Sequence, residues 1–328
     1  MITRRALVVV VALGLLGAPL AGDAQQRSKT WRVGFLSGGA RTPDGAPPPV
    51  LRQALKELGY VEGQNVVYVG RFAEARQDRL PGLVTELLGE HVDVIVTAGG
   101  PATAACRQAT STVPVVMATV GDADGIGLIN SLAHPGGNVT GVSDQSAELS
   151  AKRLELLKEA VPKAERIAVL WNADDQGMTL RYRNAEKAAQ TLRVTVQALG
   201  VREPNDFDAA FAAMTKSRPD ALFLVTDALT LLNRRRVIDF ALQHRIPAMY
   251  EFDFLVRDGG LMSYGASQED NYRGAAKYVD RIFKGAVPSA LPVERPSRYY
   301  LAINLKTAKA LGLTMPQSLL LRADQIVE

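Results

Sequence analysis

From residue 31 onward, short unbroken apolar runs alternate with stretches whose apolar residues recur at helical spacing. Residues 31–36 read as a buried strand ending at Ser37-Gly38-Gly39. Residues 51–58 follow with helical spacing and stop at Gly59, a residue suited to ending a helix. The same alternation predicts strands over 65–69, 92–97 and 113–119, and helices over 80–88, 102–109 and 126–132. The strands are continuous in Val, Ile and Leu rather than alternating with polar residues. That pattern belongs to strands covered on both faces, as in parallel sheets. A doubly wound α/β unit is expected.

The rhythm then begins again. Residues 166–170 echo 32–36, residues 220–226 echo 93–97, and Ile246-Pro247-Ala248-Met249 echoes Val113-Pro114-Val115-Val116, with similar spacings in both halves. Two similar lobes follow, each with its own parallel sheet. Further elements come after the second: a strand over 260–264, an amphipathic helix over 271–283, a proline-rich connector over 285–298, a strand over 300–304 and a helix over 307–311. With both lobes already built, these pieces must join one or the other. Several crossings between lobes are therefore expected, and such crossings form hinges. The division expected is 28–141 plus 255–292 for the first lobe and 142–254 plus 293–328 for the second.

The amino-terminal residues change the expected compartment. A basic start with Arg4 and Arg5 leads into an apolar run over 6–16, then into Gly22-Asp23-Ala24 before Gln25. That order resembles an export signal cleaved after Ala24. The run is shorter than the roughly 20 residues a membrane-spanning helix needs. Thr3-Arg4-Arg5 also partly matches a twin-arginine signal. No cysteine lies near the cleavage point, so a soluble periplasmic protein without a lipid anchor is expected. Loss of Arg4, Arg5 and Asp23 with that segment takes the formal charge from +4 to +3. With so mild a charge and aromatics at 6%, nucleic-acid binding has no support. The lone Cys106 cannot form an internal disulfide, so stability rests on the cores.

In open α/β sheets, ligands bind beyond the carboxyl ends of strands, where loops and helix N-termini converge. The duplicated pattern nominates Ser37 and Gly38, then Ala98, Gly99 and Gly100, then Asp122, all in the first lobe. In the second it nominates Asn172, Asp227, Tyr250 and Glu251. The first set offers small residues and free N–H groups suited to a carboxylate. The acidic side chains of the second, with Asp253 beside them, suit a cation. A cleft between the lobes could therefore hold both ends of an amino acid. Bland roles compete. Gly99-Gly100-Pro101 fits a simple helix start. Asp122 and Asp227 fit helix N-caps worth about 1 kcal/mol equally well. Trp171 and Tyr250 suit core packing as well as ring stacking.

Motifs for catalysis fail in turn. There is no GxxxxGK[ST] loop and no strand leading into GxGxxG. His91, His134 and His244 form no HExxH, and residues 141–145 lack the second glycine of a nucleophile elbow. Cys106 lies in an alanine-rich helical run, where a buried, inert thiol is expected. No cofactor or metal is expected.

Several segments carry a family resemblance. Leu58-Gly59-Tyr60-Val61-Glu62-Gly63-Gln64-Asn65-Val66, Val120-Gly121-Asp122 and His134-Pro135-Gly136-Gly137-Asn138-Val139-Thr140-Gly141-Val142-Ser143 resemble the ABC-transporter substrate-binding family that includes tryptophan- and tyrosine-binding proteins. Arg153-Leu154-Glu155-Leu156-Leu157-Lys158 and Asp258-Gly259-Gly260 fit it as well. The resemblance implies a type I periplasmic-binding-protein fold closing on its ligand by hinge motion, with an ABC permease and ATPase as partners. It gives Pro135-Gly136-Gly137-Asn138 a structural role leading to the first crossing near Gly141. One segment departs from the family pattern: Thr42-Pro43-Asp44-Gly45-Ala46-Pro47-Pro48-Pro49 replaces a helical lead-in after the first strand. The expected function is capture of a small polar ligand by a monomer, an amino acid, aromatic ones included. An exported sensory binding protein, or an exported enzyme using the same cleft, is the alternative.

Overall fold

Over residues 31–37, 94–98, 115–121 and 166–172 the continuous apolar runs become strands whose side chains feed two cores at once. The computed structural model describes residues 29–144 and 146–328, and the expected export segment over 1–24 lies outside them. The first part of the chain runs β1 (Trp31–Ser37), α1 (Pro49–Glu57), β2 (Val66–Phe72), α2 (Leu80–Gly89), β3 (Val94–Ala98), α3 (Gly100–Ala109), β4 (Val115–Gly121) and β5 (Val139–Asp144). Next come α4 (Ser146–Ala160), β6 (Arg166–Asn172), α5 (Gln176–Thr191), β7 (Thr195–Val201), α6 (Asp206–Lys216), β8 (Ala221–Leu224), α7 (Ala228–Leu232), α8 (Arg234–Gln243) and β9 (Ala248–Tyr250). The chain ends with α9 (Asp253–Arg257), β10 (Met262–Gly265), α10 (Gln268–Phe283), β11 (Tyr300–Asn304), α11 (Leu305–Leu311), α12 (Gln317–Leu320) and β12 (Gln325–Val327).

Strands β1 to β5 form one parallel sheet in the order β2-β1-β3-β4-β5. The second sheet has the order β12-β11-β10-β9-β8-β6-β7. From its other edge it begins β7-β6-β8-β9-β10, the same winding as the first. Strands β1 and β6, β3 and β8, and β4 and β9, paired by the sequence echoes, thus occupy equivalent places. In β3, Val94 and Val96 join one core while Ile95 joins another. In β8, Ala221 and Phe223 face one side while Leu222 and Leu224 face the other. Burial on both faces explains the unbroken apolar runs.

Helix α10 shows how the lobes interlock. It packs on α1, β4 and β5, placing Tyr272, Ala275, Ala276, Tyr278, Val279 and Phe283 in the first lobe's core. Its flanking strands β10 and β11 pair with each other in the second sheet. The chain therefore crosses three times: between β5 and α4, between β10 and α10, and between α10 and β11. The expected division needs correction here. Strand β10 and the last three residues of helix α9 fall in the range assigned to the first lobe, yet β10 lies beside β9 in the second sheet. The break comes after Gly265. Val293 packs in the first lobe's core, and Val142 bridges Glu294, so the connector also stays with the first lobe beyond residue 292.

Two further differences have local causes. The helix expected over 126–132 does not form; the segment is turns and bends. Gly127 takes φ +73°, and its carbonyl accepts from Arg107 Nη1. The following Gly136 and Gly137 also have positive φ, while Asn138 Nδ2 donates to Thr110 O at 3.0 Å and Val113 O at 2.7 Å. This segment therefore sets the entry into β5. The crossing itself lies at Asp144 to Ser146, slightly beyond Gly141. Gly141 takes φ +127°, and a Cβ there would strike the Met117 backbone.

Candidate functional site

A cleft of about 210 Å³ lies where the strand ends of both lobes face each other. Seven of the ten expected residues line it: Ser37, Gly38, Ala98, Gly99, Gly100, Asn172 and Asp227. The lobes are closed on one another. Ala75 of the first lobe packs against a core of the second. A Cβ added at Gly38 would sit 3.2 Å from Ala228 Cβ, at the start of α7. Gly38→Val is therefore expected to wedge the lobes apart at a cost of about 1–3 kcal/mol, the usual range for overpacking. Small-angle scattering should give it a larger radius of gyration than the parent; an unchanged radius would contradict this closure contact.

Three helices point their N-termini into the cleft: α3, α5 and α7. Two are capped by their own carboxylates. Asp175 Oδ1 accepts from Gly177 N at 2.8 Å and Met178 N at 3.2 Å. Asp227 accepts from Thr230 N at 2.9 Å, and Thr230 Oγ1 accepts from Asp227 N at 2.8 Å, a reciprocal capping box. Asp227 thus caps α7 and also lines the cleft. Asn172 Nδ2 steadies its second oxygen at 2.6 Å. Helix α3 differs. Its N-cap is Gly99 at φ +99°, with Pro101 in the first turn and no side-chain cap. Its free N–H groups face the cleft, the arrangement that receives an anion.

Arg181, on α5, is a charged lining residue outside the expected set. It is 5% exposed and lines the cleft. Its Nη1 donates to Glu251 Oε2 at 2.7 Å, and its Nη2 lies 3.9 Å from Asp144 Oδ1 across the lobe boundary. A Cβ at Gly121 would collide with that same Nη2, so Gly121 provides the room. Burial pulls the pKa of Arg181 down, but Glu251, Asp144, Asp122 and Asp175 outweigh it and hold it above its ordinary value. Arg181 Nε and Thr226 Oγ1 are buried without hydrogen-bond partners, and both residues line the cleft. Asp175 was missed too. Burial, then the nearby Asp227, pushes its carboxyl up to about 6. Signals existed for both. Arg181 interrupts the buried stripe Met178, Ala185 and Ala189 of α5, and Asp175 sits where a cap should follow a strand end.

Three expected residues are not at the cleft. Tyr250 is 1% exposed and packed in a core of the second lobe, so its ring is unavailable for stacking on a ligand. Glu251 is committed to two buried arginines: Arg153 Nη1 at 2.9 Å and Arg181 Nη1 at 2.7 Å. It supports Arg181 and cannot receive an ammonium group. Asp122 Oδ2 accepts from Ala147 N at 2.9 Å, at the start of α4, and burial raises its carboxyl to about 6. Trp171 stacks on Tyr182, with centroids 3.8 Å apart. Asp253 pairs with Arg257. Cys106 is buried, and desolvation pushes its thiol up to about 12. Among the described residues no His, Cys, Asp or Glu group is arranged to hold a metal, and no helix is long and apolar enough to cross a membrane.

Two similar lobes enclosing a polar-ended cleft, joined by three crossings, define a hinged solute-binding protein. The family profile for ABC transporter substrate binding proteins matches residues 50–327, and the chain belongs to that family. A relative named tyrosine-binding protein, from Clostridioides difficile (strain R20291), is 26% identical over 261 residues, 80% of this chain and 75% of that one. The structure of an ABC domain in complex with L-Trp from Streptococcus pneumonia is 27% identical, with a TM-score of 0.83 over 91% of this chain and 100% of that one. A conserved domain protein from Vibrio cholerae is 26% identical, with a TM-score of 0.85 over the same shares. The fold is that of type I periplasmic binding proteins, and the chain works by binding solute, not by catalysis.

Proposed function

We propose that this chain is exported to the periplasm, captures an α-amino acid with an apolar or aromatic side chain, and presents it to the permease of an ABC importer. The supporting observation is the pairing of opposite polar ends in one closed cleft. The uncapped N-terminus of α3 and the unpartnered Arg181 Nε suit a carboxylate, with Ser37, Gly38, Ala98, Gly99 and Gly100 forming its floor. Asp175 and Asp227 repel each other, and an ammonium group between them relieves that repulsion. Leu80, Ile126, Met178, Leu229, Leu231 and Phe252 wall the remaining space and suit an apolar side chain. The small cleft, below the roughly 300–1,000 Å³ of drug-sized sites, favours a single small metabolite. The tyrosine-binding relative and the L-Trp complex support the aromatic end of this range. Ligand stabilises the closed form by its differential affinity for it, and closure is the state the permease reads.

A thermal-shift screen of residues 25–328 against the amino acids, hexoses and polyols tests this. A rise in melting temperature with one or a few apolar or aromatic amino acids, recovered unchanged, is expected. A rise with neutral sugars and none with amino acids would overturn the assignment.

A further inference from the structure

Arg153 touches neither the cleft nor solvent. It is 1% exposed and lies on α4, just after the first crossing. Its guanidinium holds three separate segments. Nη1 donates to Ser146 O at 3.1 Å and to Glu251 Oε1 at 2.9 Å, while Nε donates to Tyr264 O at 2.7 Å. Ser146 begins the segment after the first crossing. Tyr264 stands immediately before the second, beside Gly265, where a Cβ would come within 3.4 Å of Arg153 Nη2. Beyond Glu251 the chain of charge continues to Arg181 at 2.7 Å and from there to Asp144 at 3.9 Å. Asp144 is the last residue before the first crossing, and its Oδ1 also accepts from Ser146 N at 3.1 Å. The network thus leaves the hinge, passes along the cleft and returns to the hinge. Such buried ion networks are often no more stabilising than apolar packing of the same volume. Bulk stability is therefore a poor reason for two guanidinium groups here.

We propose that Arg153 is a positioning residue that couples the hinge to the cleft. It fixes the first two crossings and Glu251 in one geometry, Glu251 aims Arg181, and Arg181 approaches Asp144 when the lobes are closed. The inference deepens the reading of a closing cleft, and its test needs no ligand.

Residues 25–328 carry spin labels at Asp78→Cys and Asp174→Cys, positions on opposite lobes whose side chains are 75% and 58% exposed. The buried Cys106 stays unlabelled. Pulsed dipolar spectroscopy then reads the distance between lobes. Arg153→Lys keeps the charge beside Glu251 but lacks the rigid fork that serves three acceptors. It is expected to shift the closed-to-open ratio by about tenfold while leaving the melting temperature near that of the parent. Glu251→Gln should give the same shift, and the double variant no more than either alone, because both break one path. Asp144→Asn removes the last link and reads the same coupling if a variant at Arg153 or Glu251 does not fold. Unchanged distance distributions would overturn the proposal, whether or not the melting temperature falls, and so would additive shifts. A ligand screen that finds no amino acid overturns the functional reading and leaves this result standing.

Discussion

Arg181→Met is expected to weaken amino-acid binding by about a hundredfold or more and to lower stability by about 3–5 kcal/mol. The side chain closes three accounts at once. It neutralises Glu251, which is fully buried, it faces Asp144 across the lobe boundary, and it lines the cleft with its Nε buried and unpartnered. Removing it leaves Glu251 with Arg153 alone and Asp144 without its cation, in surroundings where an uncompensated charge is costly. Since Arg153 remains, the loss of stability should sit at the lower end of that range. Arg181→Lys should recover part of the stability but little of the affinity, because one ammonium cannot take the place of the planar fork. Calorimetric unfolding and ligand titration of the three proteins check both parts. Full affinity in Arg181→Met would remove Arg181 from the site.

Affinity is expected to decline as pH falls through about 6. Burial, with Asp227 adding to it, lifts the Asp175 carboxyl of the empty cleft to about 6; the N–H groups of Met178 and Gly177 and the charge of Arg181 only partly oppose this. Asp144, Asp122 and Glu251 are the other acids around the same guanidinium. An ammonium ligand requires the ionised form, so binding below pH 6 must expel a proton. The dissociation constant should then rise by up to about tenfold per pH unit, with proton uptake or release visible in buffers of different ionisation enthalpy. Asp175→Asn should flatten this profile and bind weakly throughout.

The empty protein should respond to pH in the opposite sense. Between 3.8 and about 6 the native Asp175 holds a proton that the unfolded chain has released. Its contribution to stability therefore falls as pH rises through that window, by about 1.4 kcal/mol per unit. Asp122, raised to about 6 chiefly by burial, adds in the same direction. A parent whose affinity is flat from pH 5 to 7.5 would rule out Asp175 as the ammonium partner.

The fold was legible where two-sided burial writes continuous apolar runs. Strand β11 occupies residues 300–304, as its sequence indicates, and the three echoes fall on equivalent strands. Legibility failed where glycine geometry overrode spacing, as at 126–132, and where lobe membership depended on pairing between distant strands. Nothing local in residues 262–265 says that they lie beside β9 rather than in the first lobe. At the site, loops after strands are found by counting strands, which placed Ser37, Gly38, Ala98, Gly99, Gly100, Asn172 and Asp227 in the cleft. Arg153 and Arg181 come from helix faces, and their meeting at Glu251 is set by tertiary packing. Glu251 was nominated as an acid near the ligand, whereas its charge is spent on those two arginines.

The position of α10 has a consequence for how the chain matures. The first lobe's five strands are complete by residue 144, yet the apolar face built by Val33, Phe35, Val94 and Val96 waits for a helix that ends at residue 283. A chain emerging from its N-terminus must therefore carry a core that α1 covers only in part through the synthesis of almost the whole second lobe. Early compact misfolding at that face is the hazard. The late arrival of α10 also means that the first lobe's core closes only when synthesis is nearly over.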